Sequence, residues 1–379
     1  MKNAIFICDP DVRITQQIAV GLSAELQQHD AWNIHVLPNS APGAEVKQQI
    51  HEIEPDAIAV SALSHQLVAH LERLEIPKVV IAVKGAAKEL APSILPDEEA
   101  IGAMAAEYLL AQTFDHFAVV DKDRPGPEPR VDLFCDRVNK RRKTLDTLWL
   151  KSAPEGDHPF GVRADRKRVV EWLEQLPKPC AVFAHSDQIA AYVIRTCARH
   201  GIRVPEEVSV LGVDDDPLYC KTVMPNLASI HLPYSLMGTE AARMILGQTP
   251  MRSLLVPPTT VVERASCRPP TRGDALVDKA LEYLRTNVAD GVKVRDLQQL
   301  TGLTSHQLVY RFNIVTGRTP MEMILRQRIN VAKRLLAETT EPVKEIARKS
   351  GFNSTNQFYT TFRNHVGTSP TDYRTQLAK

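Results

Sequence analysis

The chain has 379 residues, 44% of them hydrophobic and 24% charged, with a formal net charge of +1. These values belong to soluble globular proteins and exclude a disordered or collagen-like chain; the length points to two or three domains of about 100 to 200 residues. The charge is unevenly placed. From Asp274 to the end, 16 Lys and Arg stand against 10 Asp and Glu, a balance of +6, while the preceding part carries −5. The basic end is therefore the candidate polyanion binder. Cys8, Cys135, Cys180, Cys197, Cys220 and Cys267 show no CxxC and no metal-ligand spacing, so reduced thiols are expected, with no metal site and no cofactor.

The first apolar run ends at Cys8-Asp9-Pro10, too short for the core of a signal peptide. No run approaches the roughly 18 apolar residues of a membrane helix. A cytoplasmic protein without a membrane partner is expected. Over the first 265 residues, short apolar runs alternate with stretches of helical length: Ala4 to Cys8, Asn33 to Leu37, Asp56 to Val60, Lys78 to Val83, His116 to Val120, Cys180 to Ala184 and Val208 to Val213. The pattern predicts an α/β domain of parallel sheets flanked by helices. Ligands of such sheets sit beyond the carboxyl ends of the strands.

The residues at those ends are polar: Asp9, Asp11 and Arg13 after the first run, His185, Ser186 and Asp187 after the sixth, Asp214, Asp215 and Asp216 after the seventh. Carboxylates accept hydroxyl hydrogen bonds, which suits a polyol such as a sugar. For Asp187, helix N-capping is an equally good reading. No GxGxxG, GxxxxGK[ST] or GxSxG follows a strand, so dinucleotide, P-loop nucleotide and esterase chemistry have no motif here. Sensing, and not catalysis, is expected.

Val182 to Leu246 resembles the C-terminal half of the sensor domain of lactose-repressor-type (LacI/GalR) regulators: strand, small-polar-Asp, helix, Gly-x-x-x-Pro, strand, Gly-x-Asp-Asp, then an apolar helix after a Pro. The resemblance implies a two-lobed, periplasmic-binding-protein-like fold that also dimerises. This chain has Ser186-Asp187 where that family usually has Asn-Asp. The first strand begins at Ala4, so no DNA-binding head is expected before the sensor. The family's ligand-contacting Arg opens a helix after the fifth run; Arg137 and Arg141 are the candidates here, with Arg142 a third. The ligand set implied is Asp9, Arg13, Arg137, Arg141, Ser186, Asp187, Asp214 and Asp215.

Ser253 to Arg264 reads as the last strand of this domain. Pro269, Pro270 and Gly273 then break regular structure, dividing a sensor over 1–268 from a linker over 269–274 and an all-α domain over 275–379. Within that last domain a pattern repeats at a spacing of 49, then 50, residues: Leu297 with Ile346, Gly302 with Gly351, Leu308 with Phe358, Phe312 with Phe362, Gly317 with Gly367, Pro320 with Pro370. Each unit reads as helix, Gly-containing turn, helix, the arrangement that places a second helix in the major groove. Gly351 supplies a left-handed turn residue, and Phe358 and Phe362 share a buried face that leaves Asn356, Gln357 and Thr360 outward. Between the units, Met321 to Thr339 is a continuous amphipathic helix of about 28 Å, a length that lets one chain engage two adjacent grooves.

Ala332 to Arg374 resembles the signature region of the arabinose-activator (AraC/XylS) family, with its Arg-Leu-Leu, Ile-Ala, Gly-Phe, Phe-x-x-x-Phe and Pro-x-x-Tyr-Arg. The DNA-facing set implied is Ser305, His306, Val309, Tyr310 and Arg311 in the first unit and Asn356, Gln357, Thr360 and Arg363 in the second. Val309 and Tyr310 leave hydrogen-bonded readout or thymine-methyl contact open, while Arg311 and Arg363 suit phosphates. The sensor-then-AraC order resembles xylose-operon regulators. It implies double-stranded DNA, a sugar effector such as xylose, a homodimer and RNA polymerase as partners. A ligand-independent regulator and, further off, a sugar-acting enzyme are the alternatives.

Overall fold

The computed structural model describes residues 2–29, 32–62, 65–82, 90–112, 114–122, 128–150, 162–267 and 274–377. The first lobe starts with β1 (Lys2–Cys8), α1 (Arg13–Leu26), β2 (Trp32–Pro38), α2 (Gly43–Ile53), β3 (Ala57–Val60), α3 (His65–Glu72), β4 (Lys78–Ile81) and β5 (Ser93–Pro96). The second lobe comprises α4 (Glu98–Leu110), β6 (His116–Lys122), α5 (Pro129–Lys140), β7 (Thr144–Leu150), α6 (Val162–Gln175), β8 (Cys180–Ala184), α7 (Asp187–Arg199), β9 (Val208–Asp214), α8 (Pro217–Cys220) and β10 (Ala228–His231). The chain then returns to the first lobe with α9 (Tyr234–Ile245) and β11 (Leu254–Val256), and ends the sensor in the second with β12 (Thr260–Val262).

Each lobe is built on a six-stranded sheet, ordered β11-β5-β4-β3-β1-β2 in the first and β12-β10-β9-β8-β6-β7 in the second. All pairings are parallel except β10 with β12. Helices cover both faces, which is why Ile5, Phe6 and Ile7 of β1 are all fully buried although their side chains alternate. Three crossovers join the lobes, after β5, after β10 and between β11 and β12. They are laced together: the Asp97 N–H donates to the Val256 carbonyl at 2.9 Å and the Thr259 N–H to the His231 carbonyl at 3.1 Å. α9 packs on α1, and the two backbones approach closely at Gly21 and Gly238. A Cβ at Gly238 would lie 2.0 Å from the Ile18 carbonyl oxygen, so glycine is required for the approach.

The strand expected over 253–264 is two strands in different sheets, because Pro257-Pro258 interrupts the run and carries the third crossover. β4 ends at Ile81, and Val83 lies outside the described residues. β5, β7 and β10 were not marked by apolar runs; β7 alternates polar residues because part of one face is exposed. The six cysteines are free, and all but Cys135 are buried. Among the described residues no helix is long and apolar enough to cross a membrane.

The C-terminal domain is helical: α10 (Ala275–Asn287), α11 (Val294–Thr301), α12 (Ser305–Thr316), α13 (Pro320–Glu338), α14 (Val343–Lys349), α15 (Thr355–Val366) and α16 (Pro370–Leu377). The expected linker falls almost wholly outside the described residues; its last member, Asp274, caps α10 by accepting from the Leu276 and Val277 N–H groups. α11 with α12 and α14 with α15 form the two units, and α13 lies in both of their cores. Met323 and Ile324 pack with Leu308 and Phe312. Ile329, Ala332 and Leu336 pack with Phe358 and Phe362. Gly302 and Gly351 turn the chain at φ 71° and 80°.

Candidate functional site

The cleft between the lobes is built from strand ends and crossovers. At the end of β9, Asp214 accepts a 2.7 Å hydrogen bond from the Tyr234 hydroxyl, the first residue of α9 beyond the second crossover. Arg130, 4% exposed, opens α5. Its Nε donates to Glu98 Oε2 at 2.5 Å, just past the first crossover, and its Nη1 to the His185 carbonyl at 2.6 Å. Burial alone would lower the Arg130 pKa, but the charges of Glu98 and Asp214 hold the guanidinium firmly protonated. From the first lobe, Arg13 reaches to 3.8 Å from Asp216. Asp9, half-buried, stands at the end of β1.

Ser186, not Asp187, is the N-cap of α7, its hydroxyl accepting from the Ile189 N–H. Asp187 is buried behind it. It accepts from the Asp216 N–H at 2.7 Å and from Cys220 Sγ at 3.2 Å, bracing the β9 loop. Asp215 points out of the cleft, to Arg264 at 2.5 Å and Arg334 at 3.5 Å. Arg137 is exposed, 3.7 Å from Glu107 on α4, and Arg141 is the C-cap of α5. Both lie on the same helix as Arg130 but about two and three turns further on, so the structure does not gather them with Asp214. Arg142, just past the helix, has a left-handed φ of 54°. Arg130, the arginine beside Asp214, is not among the sequence candidates. Pro129, a residue favoured at the first helical position, was the signal for it. Tyr234 and Glu98 were missed too, because crossovers have no sequence signature.

The carboxyls of buried Asp187 and half-buried Asp214 interact. Burial raises the Asp214 pKa to about 6, against the opposing pull of Arg130 and Tyr234. Asp187 is driven well above the usual carboxylate range, first by burial and then by the Asp214 charge. An acid whose folded-state pKa exceeds its ordinary 3.8 takes up a proton on folding between those values. Its folded state therefore loses stability as pH rises through about 6. From pH 7 to 5 the wild type is expected to gain about 1–2 kcal/mol relative to Asp214→Asn. Melting curves of the two proteins that stay parallel across that range contradict this.

In the two helix-turn-helix units, Leu308, Phe312, Phe358 and Phe362 are fully buried. Ser305, His306, Tyr310, Asn356, Gln357, Thr360 and Arg363 are exposed, and Val309 is half-buried. Arg311 is 3.1 Å from Asp274 and thus anchors α12 to the start of α10. Thr304 and Gln307 form a reciprocal capping box on α12. On α15 the Ser354 hydroxyl accepts from the Gln357 N–H without the return bond, which leaves that amide side chain on the outer face.

A two-lobed cleft followed by two outward helix-turn-helix units defines the class of this protein. Residues 106–267 match the periplasmic binding protein-like domain family, and residues 297–376 match a helix-turn-helix domain family. The chain thus joins a periplasmic binding protein-like domain to a helix-turn-helix domain. Its sequence is similar to those of xylose operon regulatory proteins. It is 30% identical over 214 residues to the xylose operon regulatory protein of Escherichia coli (strain K12), a match that covers 55% of this chain and about half, 55%, of that relative's length. It is 26% identical over 342 residues to the xylose operon regulatory protein of Haemophilus influenzae, covering 86% of each. The solved structure of the xylose-binding transcription activator xylR has the same fold, with a TM-score of 0.58 and 23% identity across 99% of this chain and 98% of that one.

Proposed function

We propose that this chain is a sequence-specific DNA-binding transcriptional regulator, without enzymatic activity, whose DNA binding is set by a sugar in the sensor cleft. The observation that carries the reading is the Arg130, Asp214, Glu98 and Tyr234 cluster. It joins two strand ends to two crossovers, so a polyol bound there touches the segments about which the lobes pivot. Alternating charges supply donors and acceptors for sugar hydroxyls. D-Xylose is the leading effector, given the relatives' names. Asp9, Arg13 and Ser186 complete the cleft from either lobe. Asn356, Gln357, Thr360 and Arg363, with His306 and Tyr310 in the first unit, face DNA. Two chains pair through their sensors, and cleft closure changes the spacing of their DNA modules; RNA polymerase is the downstream partner that the AraC/XylS resemblance implies. DNA affinity shifts only as far as the sugar prefers one arrangement.

The test is the melting temperature of the full chain against a panel of pentoses, hexoses and their acids. A sugar at 100 times its Kd adds about 2.7 kcal/mol, which raises the midpoint by roughly 2–4 °C per kcal/mol. A shift of several degrees with D-xylose, lost in Asp214→Asn, is expected. No shift with any member of the panel overturns the sugar reading and leaves the DNA-binding one standing.

A further inference from the structure

The last turns of α13 dock on the sensor beside Asp214. His231, 3% exposed, lies opposite Asp214 in the β9–β10 register. Its Nδ1 shares a 2.8 Å hydrogen bond with the Thr259 hydroxyl at the third crossover, and its Nε2 meets Glu338 Oε1 at 2.5 Å. Asp215, next to Asp214 in the chain, is clamped between Arg264 of the sensor and Arg334 of α13. One turn or more earlier, Arg326 and Gln327 both reach Glu263, at 2.8 and 3.1 Å. Ala337 and Leu377 of the C-terminal domain join the sensor's apolar core.

Two cavities, of about 650 and 390 Å³, open along the rest of this junction. Among the described residues, α13 makes the main contacts between the domains, against α9 and β12. Asp214 and Asp215 both hold φ in the left-handed region, at 108° and 55°, a strained conformation for non-glycine residues that persists where surrounding contacts enforce it. Asp214 faces the cleft and its neighbour in this strained pair, Asp215, holds Arg334. α13 in turn sits in the cores of both DNA-facing units.

We propose that α13 reads the state of the cleft within a single chain, through the Asp215–Arg334 and His231–Glu338 contacts, and passes it to both DNA-facing units. This rests on the reading above that a ligand occupies the cleft, and adds to it a route that does not run through the dimer contact. Arg334 and Glu338 are positioning residues on this account, not ligand or DNA contacts.

The test is hydrogen exchange on the full chain with saturating D-xylose. In the wild type, amides of residues 331–338 are expected to change exchange rate about fivefold or more, together with the cleft amides of 185–189 and 213–216. In Arg334→Gln/Glu338→Gln the cleft amides respond as before and α13 does not. An α13 response of equal size in the variant, or a silent α13 beside a responding cleft in the wild type, overturns the proposal. If the cleft itself is silent, the sugar reading has failed and Asp214→Asn replaces the sugar as the perturbation. The relay then requires Asp214→Asn to alter α13 exchange in the wild-type background and not in the double variant; any other pattern overturns it. Should the double variant not fold, Arg334→Gln alone is judged by the same outcomes.

Discussion

Arg130→Ala is expected to abolish sugar binding and to lower the stability of the sensor by about 3–5 kcal/mol, the scale for removing one partner of a buried charge cluster. Arg130 is nearly inaccessible and supplies the positive charge facing both Glu98 and Asp214. Its removal leaves two carboxylates close together in a low-dielectric setting and frees the His185 carbonyl of a 2.6 Å bond. Arg130→Lys restores charge but not the planar fork that bonds Glu98 and His185 at once, so it is expected to recover much of the melting temperature and little of the sugar affinity. Calorimetry with D-xylose and thermal melting separate the two effects. An alanine variant that melts with the wild type, or a lysine variant that binds sugar as tightly, contradicts this assignment.

The second large effect separates core from surface within α15. Phe362 is fully buried, its ring 5.5 Å from that of Phe358 and 5.4 Å from that of Tyr373. Phe362→Ala is expected to cost about 3–5 kcal/mol and to remove DNA binding by loosening the second unit. Asn356 sits two residues into the same helix and is exposed. Asn356→Ala is expected to change stability by no more than about 0.5 kcal/mol, yet to weaken binding to the preferred DNA by about 1–3 kcal/mol, the worth of a good base contact. Melting followed by DNA titration on each variant checks the pair. Normal DNA affinity in Asn356→Ala shows that α15 does not read bases through this residue.

The C-terminal domain was the more legible half, for a physical reason. Its two units repeat the same packing problem, so Leu308 and Phe358, Phe312 and Phe362, Gly302 and Gly351 announce one another along the chain. Gly351 turns at φ 80°, which glycine alone adopts freely, and a Cβ there would also lie 2.3 Å from the Val288 carbonyl oxygen. In the sensor, fully buried parallel strands stand out as apolar runs, whereas β5, β10 and the half-exposed β7 do not. The cleft was only partly legible. Asp214 stands at a strand end where such sheets place ligands, but Glu98 and Tyr234 reach it only because the chain crosses between lobes twice. Arg130 was passed over for Arg137 and Arg141 because the helix start was not fixed, and a two-turn error moves a side chain about 10 Å along the axis. Asp215 and Asp187 have the same residue type and strand-end setting as Asp214. Three-dimensional context alone shows that the first faces α13 and the second braces the loop beneath.

The most direct measurement of the central claim is the affinity of the full chain for a duplex that it has itself selected from a random pool, titrated with and without saturating D-xylose at fixed salt. If occupancy of the cleft governs the DNA-facing helices, the Kd for DNA is expected to change about fivefold or more, and DNA is expected to change the Kd for D-xylose by the same factor. An unchanged DNA Kd, under conditions where D-xylose demonstrably raises the melting temperature, would contradict it: the sugar would occupy the sensor without reaching the DNA.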